Sequence, residues 1–187
     1  PPPRTPRIEC RRQRQMCISE RSWAESGAER PAGFEDVPTP LIALDWFPPI
    51  PEIPVEFIDG SAASLPSRDA KATIVDFWAS WCVPCRRSFP WLNSMHETYG
   101  DDGLVIIGVN LDEERAEAEA FLEEYPAKFR IHFDESKELA HRFDVVGMPS
   151  SYVLGRDGEV VTQHIGFKVK KQDEYEAAIV KALGNTE

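Results

Sequence analysis

The chain has 187 residues, 42% of them hydrophobic, and 21 Lys and Arg against 32 Asp and Glu give it a net charge of −11. That length favours one domain plus an extension, and so acidic a surface repels phosphate backbones, which argues against nucleic acid as a partner. Four cysteines are too few for a disulfide-stapled scaffold, and no run approaches the ~18–20 apolar residues of a membrane span.

The charge is unevenly spread. Residues 1–30 hold seven Arg and four Glu, and the acidic excess lies beyond them. Pro1, Pro2, Pro3 and Pro6 open the chain, an Arg-rich stretch from Arg11 to Arg14 follows, and Pro31, Pro38, Pro40, Pro48, Pro49, Pro51 and Pro54 come next. Proline removes a backbone donor and restricts its neighbour, so residues 1–50 are expected to form a disordered arm and an extended linker. Trp46 and Phe47 are expected to tack that linker to a domain over 51–187. Cys10 and Cys17 read as unstructured thiols, Met16 as an alternative start, and the N-terminus lacks the apolar core of a signal peptide.

Within the domain, Val55, Phe57 and Ile58 before Asp59-Gly60 predict a strand entering a turn, with Ala63 and Leu65 returning as its hairpin partner. Thr73 to Trp78 is β-branched and aromatic and predicts a buried strand. A helix is expected from Pro84 to Tyr99, with Phe89, Leu92, Met95 or His96, and Tyr99 at helical spacing and a kink at Pro90. Leu104 to Leu111 predicts a second buried strand, after which Asp112-Glu113-Glu114 should open a helix reaching Tyr125. Phe129, Ile131 and Phe133 alternate as a short strand, and Asp134 should cap a helix carrying Leu139, Ala140 and Phe143. Ser150–Leu154 and Glu159–Ile165 flank Gly155-Arg156-Asp157-Gly158, a hairpin signal. A last helix, Lys170 to Leu183, buries Tyr175, Ile179, Ala182 and Leu183 and ends at Gly184. The order βαβαβαββα after a leading hairpin predicts an α/β fold: a mixed sheet, parallel where helices separate strands and antiparallel at its closing edge, with helices on both faces.

The chemistry concentrates in Trp81-Cys82-Val83-Pro84-Cys85, at a strand-to-helix junction. Two intervening residues make one helical turn, which suits a disulfide across a Cα separation of about 5.5 Å. Cys82 would sit at the helix N-terminus, where free amides and the macrodipole favour a thiolate and lower its pKa from about 8.5 toward ~7. Cys85, one turn inside, should be more buried and remain a thiol. Cys82 could then attack a substrate disulfide, and Cys85 could resolve the mixed disulfide once it is deprotonated. Asp76, in an apolar strand six residues before Cys82, is the candidate proton acceptor, because burial raises a carboxyl's pKa toward neutrality.

The run Val75-Asp76-Phe77-Trp78-Ala79-Ser80-Trp81-Cys82-Val83-Pro84-Cys85-Arg86, with Pro90 five residues further on, resembles the thioredoxin superfamily. The leading hairpin, the helix and strand inserted between Leu111 and Asp134, and Val146-Gly147-Met148-Pro149-Ser150 resemble its TlpA-like branch of bacterial disulfide reductases, which includes ResA-like proteins. The resemblance spans residues 53–184 and implies a thioredoxin-like fold and a thiol-disulfide oxidoreductase acting as a reductase, with cytochrome c maturation or disulfide homeostasis as its task. It implies a cis Met148-Pro149 bond facing the cysteines, and substrate contacts by Trp81, Val83, Pro84, Met148 and Pro149. No cofactor beyond the Cys82–Cys85 redox pair and no metal is implied. The partners implied are disulfide-bearing proteins and an upstream thiol electron donor, and the chain is expected to act as a monomer. An extracytoplasmic or periplasmic site follows from the resemblance, with the cytoplasm as the alternative. The sequence departs from the branch at Ser88, where an acid is common, at Asp76, often Asn, and at Ser150, commonly Thr; the lysine that pairs with the buried acid in thioredoxins would fall near Gly108.

Other readings compete. A CxxC pair can be half a zinc site, but His96, His132, His141 and His164 lie at no ligand spacing and read as surface or core histidines. A thiol peroxidase, or a non-catalytic peptide-binding module of the same fold, are the alternatives in function. Arg86 and Arg87, and the acidic run from Glu113 to Glu124, read as solvated faces.

Overall fold

The computed structural model describes residues 49–67 and 69–184. The expectations about the arm, Met16, Cys10, Cys17, Trp46 and Phe47 lie outside the described residues.

Two short strands, β1 (Ile53–Glu56) and β2 (Ala62–Leu65), pair antiparallel as the expected hairpin. The turn is made at Gly60, whose φ of 81° suits a residue without a Cβ, while Asp59 Oδ1 accepts from the Ser61 amide at 2.9 Å. Phe57 then bridges to His132 and joins the hairpin to the main sheet.

The main sheet has the order β5-β4-β3-β6-β7. Its centre is β3 (Ala72–Trp78), all seven residues of which are buried, as a continuous β-branched and aromatic run demands when both faces are covered. β4 (Leu104–Asn110) pairs parallel with β3, and β5 (Arg130–Phe133) pairs parallel with β4. β6 (Ser150–Gly155) runs antiparallel to β3, and β7 (Val160–Ile165) antiparallel to β6.

The direction of β6 departs from the expectation that helix-separated strands run parallel. The intervening helix, α3 (Glu138–Arg142), has five residues. At 1.5 Å per residue it spans about 7.5 Å, so it does not itself run back along the sheet. β6 enters at the end where β5 leaves.

One face of the sheet packs Ile74, Trp78, Ile106 and Val153 against three helices. These are α1 (Val83–Tyr99), α2 (Arg115–Glu124) and α4 (Gln172–Ala182), the last preceded by a 3-10 turn at Val169–Lys171. The other face packs Val75, Phe77, Ile107 and Tyr152 against α3 and the hairpin. Helices therefore lie on both faces, unequally.

Two helix starts differ from the sequence reading. α2 begins at Arg115, and Asp112 turns inward to be buried, held by donors that a solvated helix start would not offer. Lys137 stands at the start of α3 with a positive φ of 61°, and Asp134 reaches past it to accept from the Ala140 amide at 3.1 Å. Asp134 thus satisfies a helix donor from further back than an ordinary cap.

Candidate active site

β3 runs into α1 through Ala79-Ser80-Trp81, and that junction places both cysteines. Cys82 is the N-cap of α1, in extended conformation, with Pro84 in the first turn, where its missing N–H costs nothing. A disulfide joins Cys82 and Cys85 with a Cα separation of 5.3 Å. The Cys82 sulfur accepts from the Cys85 amide at 3.3 Å, and no acidic side chain lies in the first turn. The helix terminus therefore aims an N–H at the sulfur expected to carry negative charge. Cys85 is fully buried and Cys82 is 4% exposed.

A latch fixes the approach to Cys82. The Asp112 carboxylate accepts from the Ser80 amide at 3.0 and 3.1 Å, from the Ser80 hydroxyl at 3.0 Å and from Asn110 Nδ2 at 2.8 Å. These bonds tie the loop two residues before Cys82 to the end of β4. Asp112→Ala strands buried donors whose bonds were charge-assisted, so unfolding stability should fall by about 2–4 kcal/mol. The measurement is the urea midpoint, and a midpoint like that of the unchanged protein would refute the latch.

Asp76 lies on β3 with its side chain on the Trp78 face, fully buried. Burial pushes its carboxyl up to about 7, against a lowering effect of the Ser151 hydroxyl, which donates to Oδ1 at 2.5 Å. Its Oδ2 makes no hydrogen bond among the described residues. The cross-strand neighbours explain this isolation. Ser151 is its partner on β6, and on β4 the partner is Gly108, the position where the sequence places the missing lysine. A Cβ at Gly108 would meet Ile131 Cδ1 at 2.8 Å, Phe129 Cε2 at 3.0 Å and Trp78 Nε1 at 3.1 Å. The aromatic packing beneath the motif leaves no room for a side chain there.

Ser88, where an acid is common in the resembled branch, is buried and donates to the Cys85 carbonyl at 3.0 Å. Met148-Pro149 is cis, as the resemblance implies. Pro149 is buried and its carbonyl accepts from the Gly166 amide at 2.7 Å, while Met148 is half-buried against the cluster that contains both cysteines. Trp81 is 64% exposed and Val83 55% exposed, either side of Cys82. Val146, 59% exposed ahead of Met148, is a further apolar side chain, which the sequence reading quoted in the run around Pro149 without a contact role. Isolated apolar residues carry no periodic signal, so exposure alone identifies it. Ser151 went unread and Asp112 was read as a helix-opening acid, because Asp76 and Ser80, which they bond, lie far off in the sequence. Among the described residues no cluster of His, Cys, Asp and Glu could hold a metal ion, and no helix is long and apolar enough to cross a membrane.

The arrangement can perform dithiol chemistry: a capped outer sulfur, an inner sulfur one turn away, and a titratable carboxyl buried in the strand leading to them. Comparison with known proteins agrees. Residues 49–163 match the family model described as AhpC/TSA family. The chain is 30% identical over 122 residues to the thiol-disulfide oxidoreductase ResA of Bacillus thuringiensis, covering 65% of this chain and 70% of that protein. It is 30% identical over 137 residues to sporulation thiol-disulfide oxidoreductase A of Bacillus subtilis, covering 66% and 82%. Among solved structures, one assigned as a thiol:disulfide interchange protein DsbE from Chlorobium tepidum superposes with a TM-score of 0.69 at 37% identity, over 73% of this chain and 96% of that one. StoA from Bacillus subtilis superposes with a TM-score of 0.61 at 26% identity, over 70% and 98%.

Proposed function

Because the chain belongs to the AhpC/TSA family, has the thioredoxin-like fold and is a thiol-disulfide oxidoreductase, we propose that it reduces protein disulfides through Cys82 and Cys85, with Asp76 as the proton acceptor for Cys85. The observation that carries this reading is the Cys82–Cys85 disulfide at the start of α1, with the raised-pKa carboxyl of Asp76 buried on β3.

Cys82 thiolate attacks one sulfur of a substrate disulfide and expels the other as a thiolate. Asp76 takes the Cys85 proton, and the new thiolate attacks the Cys82 sulfur. The bond from Cys82 to substrate breaks, the Cys82–Cys85 bond forms, and the second substrate sulfur leaves as a thiolate. An upstream thiol donor restores the dithiol. Trp81, Val83, Pro84, Met148 and Pro149 form the surface that takes an extended substrate segment, and Val146 extends it. No cofactor beyond the dithiol enters this scheme, and one chain suffices for it. The resemblance to the TlpA-like branch supports an extracytoplasmic site and apocytochrome cysteines as one substrate class.

The test is a redox titration of the Cys82–Cys85 pair against dithiothreitol. A potential near or below about −240 mV is expected, alongside thioredoxin-like reductants. A value near about −120 mV would reverse the direction to disulfide formation. Turnover of peroxide faster than of a disulfide would select the peroxidase reading instead.

A further inference from the structure

A cavity of about 10 Å³ lies between β6, β7, α1 and α4, lined by Ser88, Trp91, Ser151, His164 and Tyr175 among others. That is the order of space that one buried water needs, and a water there requires two to four polar partners. The walls supply them. Ser151 Oγ donates to Asp76 Oδ1 and keeps its lone pairs for a donor from the cavity. His164 faces Ser151 directly across the β6–β7 ladder, so the two side chains share one face of the sheet. His164 Nε2 is buried without a hydrogen-bond partner among the described residues, as is Asp76 Oδ2. Two orphaned polar atoms thus stand on either side of one serine, and that serine and His164 line a space that a water can fill.

We propose that His164 is the outer station of the proton path serving Cys85, linked to Asp76 through Ser151 and a water bound in this cavity. The inference rests on Asp76 being the base for Cys85. Only the carboxylate can take the Cys85 proton, and a carboxyl pushed up to about 7 is partly protonated near neutrality, so Asp76 must shed that proton before the resolving step. Once Asp76 is protonated, the Ser151 hydroxyl turns from Oδ1 to the cavity water; the carboxyl proton then passes to the Ser151 oxygen while the Ser151 proton moves on to that water. The water's proton goes to His164 Nε2, the partly exposed ring gives a proton to solvent from its other nitrogen, and tautomer exchange with solvent restores Nε2 as an acceptor. No oxidant or reductant is consumed.

The surroundings suit a neutral imidazole ready to accept. Burial holds His164 below its ordinary pKa, while Glu174 of α4 pulls it up and Lys171 of the 3-10 turn pushes it down. Those two side chains pair with each other at 2.9 Å on the surface. Tyr175 of α4 packs its ring 4.3 Å from the imidazole, β6 presents Ser151, and α1 presents the uncharged Ser88 and Trp91. On the carboxyl's side, β4 presents Gly108 and no charge.

The test separates the two exchange steps in a stopped-flow single turnover with a fluorescent peptide disulfide. His164→Gln should leave formation of the mixed disulfide and the reduction potential unchanged. It should slow release of the mixed disulfide roughly tenfold near pH 7, less than loss of a direct proton acceptor because the relay stands one transfer away. Free imidazole in the buffer should restore part of the rate. In the unaltered protein, the release rate against deuterium fraction should curve, as transfer of several protons requires. Asp76→Asn run in parallel separates the outcomes. If it slows release while His164→Gln does not, the relay falls and the Asp76 base stands; if neither does, both fall. Should His164→Gln not fold, the deuterium dependence decides alone, a straight line overturning the relay.

Discussion

Cys85→Ser is expected to convert the enzyme into a trap. Cys82 remains at the N-cap of α1, where the helix amides favour its thiolate, so the first exchange proceeds. With no second sulfur one turn inside, the mixed disulfide has no internal route to resolution, and catalytic turnover should fall to the rate of uncatalysed thiol exchange. Covalent complexes should appear on a non-reducing gel and vanish with dithiothreitol. Cys82→Ser should abolish both the complexes and insulin reduction. Retained insulin reduction by Cys82→Ser would remove the nucleophile from its proposed role. Equal trapping by Cys82→Ser and Cys85→Ser would mean that the two sulfurs are interchangeable, which their different places on α1 argue against.

Asp76→Asn should have opposite effects on activity and stability. The amide keeps the shape and can still accept from Ser151, but it takes no proton from Cys85. Release of the mixed disulfide should slow by about 10²-fold, the lower range for general base catalysis, and the inflection near pH 7 should disappear from its pH profile. Stability should move the other way. In the folded protein the Asp76 carboxyl titrates at about 7, above the ordinary value of 3.8 that it takes in the unfolded chain. Between those values the folded state binds the extra proton, so stability falls as pH rises and stops falling above about pH 7. The asparagine variant escapes that loss. Its advantage should be absent near pH 3, grow through the window and reach on the order of 4 kcal/mol at pH 8, at 1.36 kcal/mol per pKa unit. Urea unfolding at pH 3, 5 and 8 measures it. An asparagine variant less stable than the unaltered protein at pH 8 would show that the buried carboxylate is satisfied by contacts other than the one Ser151 bond.

These two expectations tie function to a cost that the fold carries. A carboxyl with one hydrogen bond in the centre of a sheet is destabilising once it is ionised, and the sequence retains it where a neutral side chain would pack. Gly108 sharpens the point. The position opposite Asp76 is held without a side chain by Trp78, Phe129 and Ile131, so no cation can relieve the carboxyl from β4. The energy that a salt bridge would recover is left in the site as a pKa near neutrality.

The sequence by itself determined whatever depends on residues close together in the chain. Cys82 and Cys85 meet because one helical turn separates them, and a strand ending at Trp78 followed at once by a helix puts them at its N-terminus. The β-branched run of β3, the Asp59-Gly60 turn and the Gly155–Gly158 hairpin are local patterns with local consequences, and each forms where its pattern lies. The tertiary structure alone decided what depends on register between strands. Asp76 faces Ser151 and Gly108 because of how β6 and β4 are offset, and His164 faces Ser151 for the same reason. Asp112 reads as a helix-opening acid, yet it is buried as the anchor of Ser80, thirty-two positions away. The antiparallel direction of β6 likewise shows only in its pairing with β3. Side-chain alternation gives the face on which a residue lies, but a shift of one position along a neighbouring strand changes every partner across it.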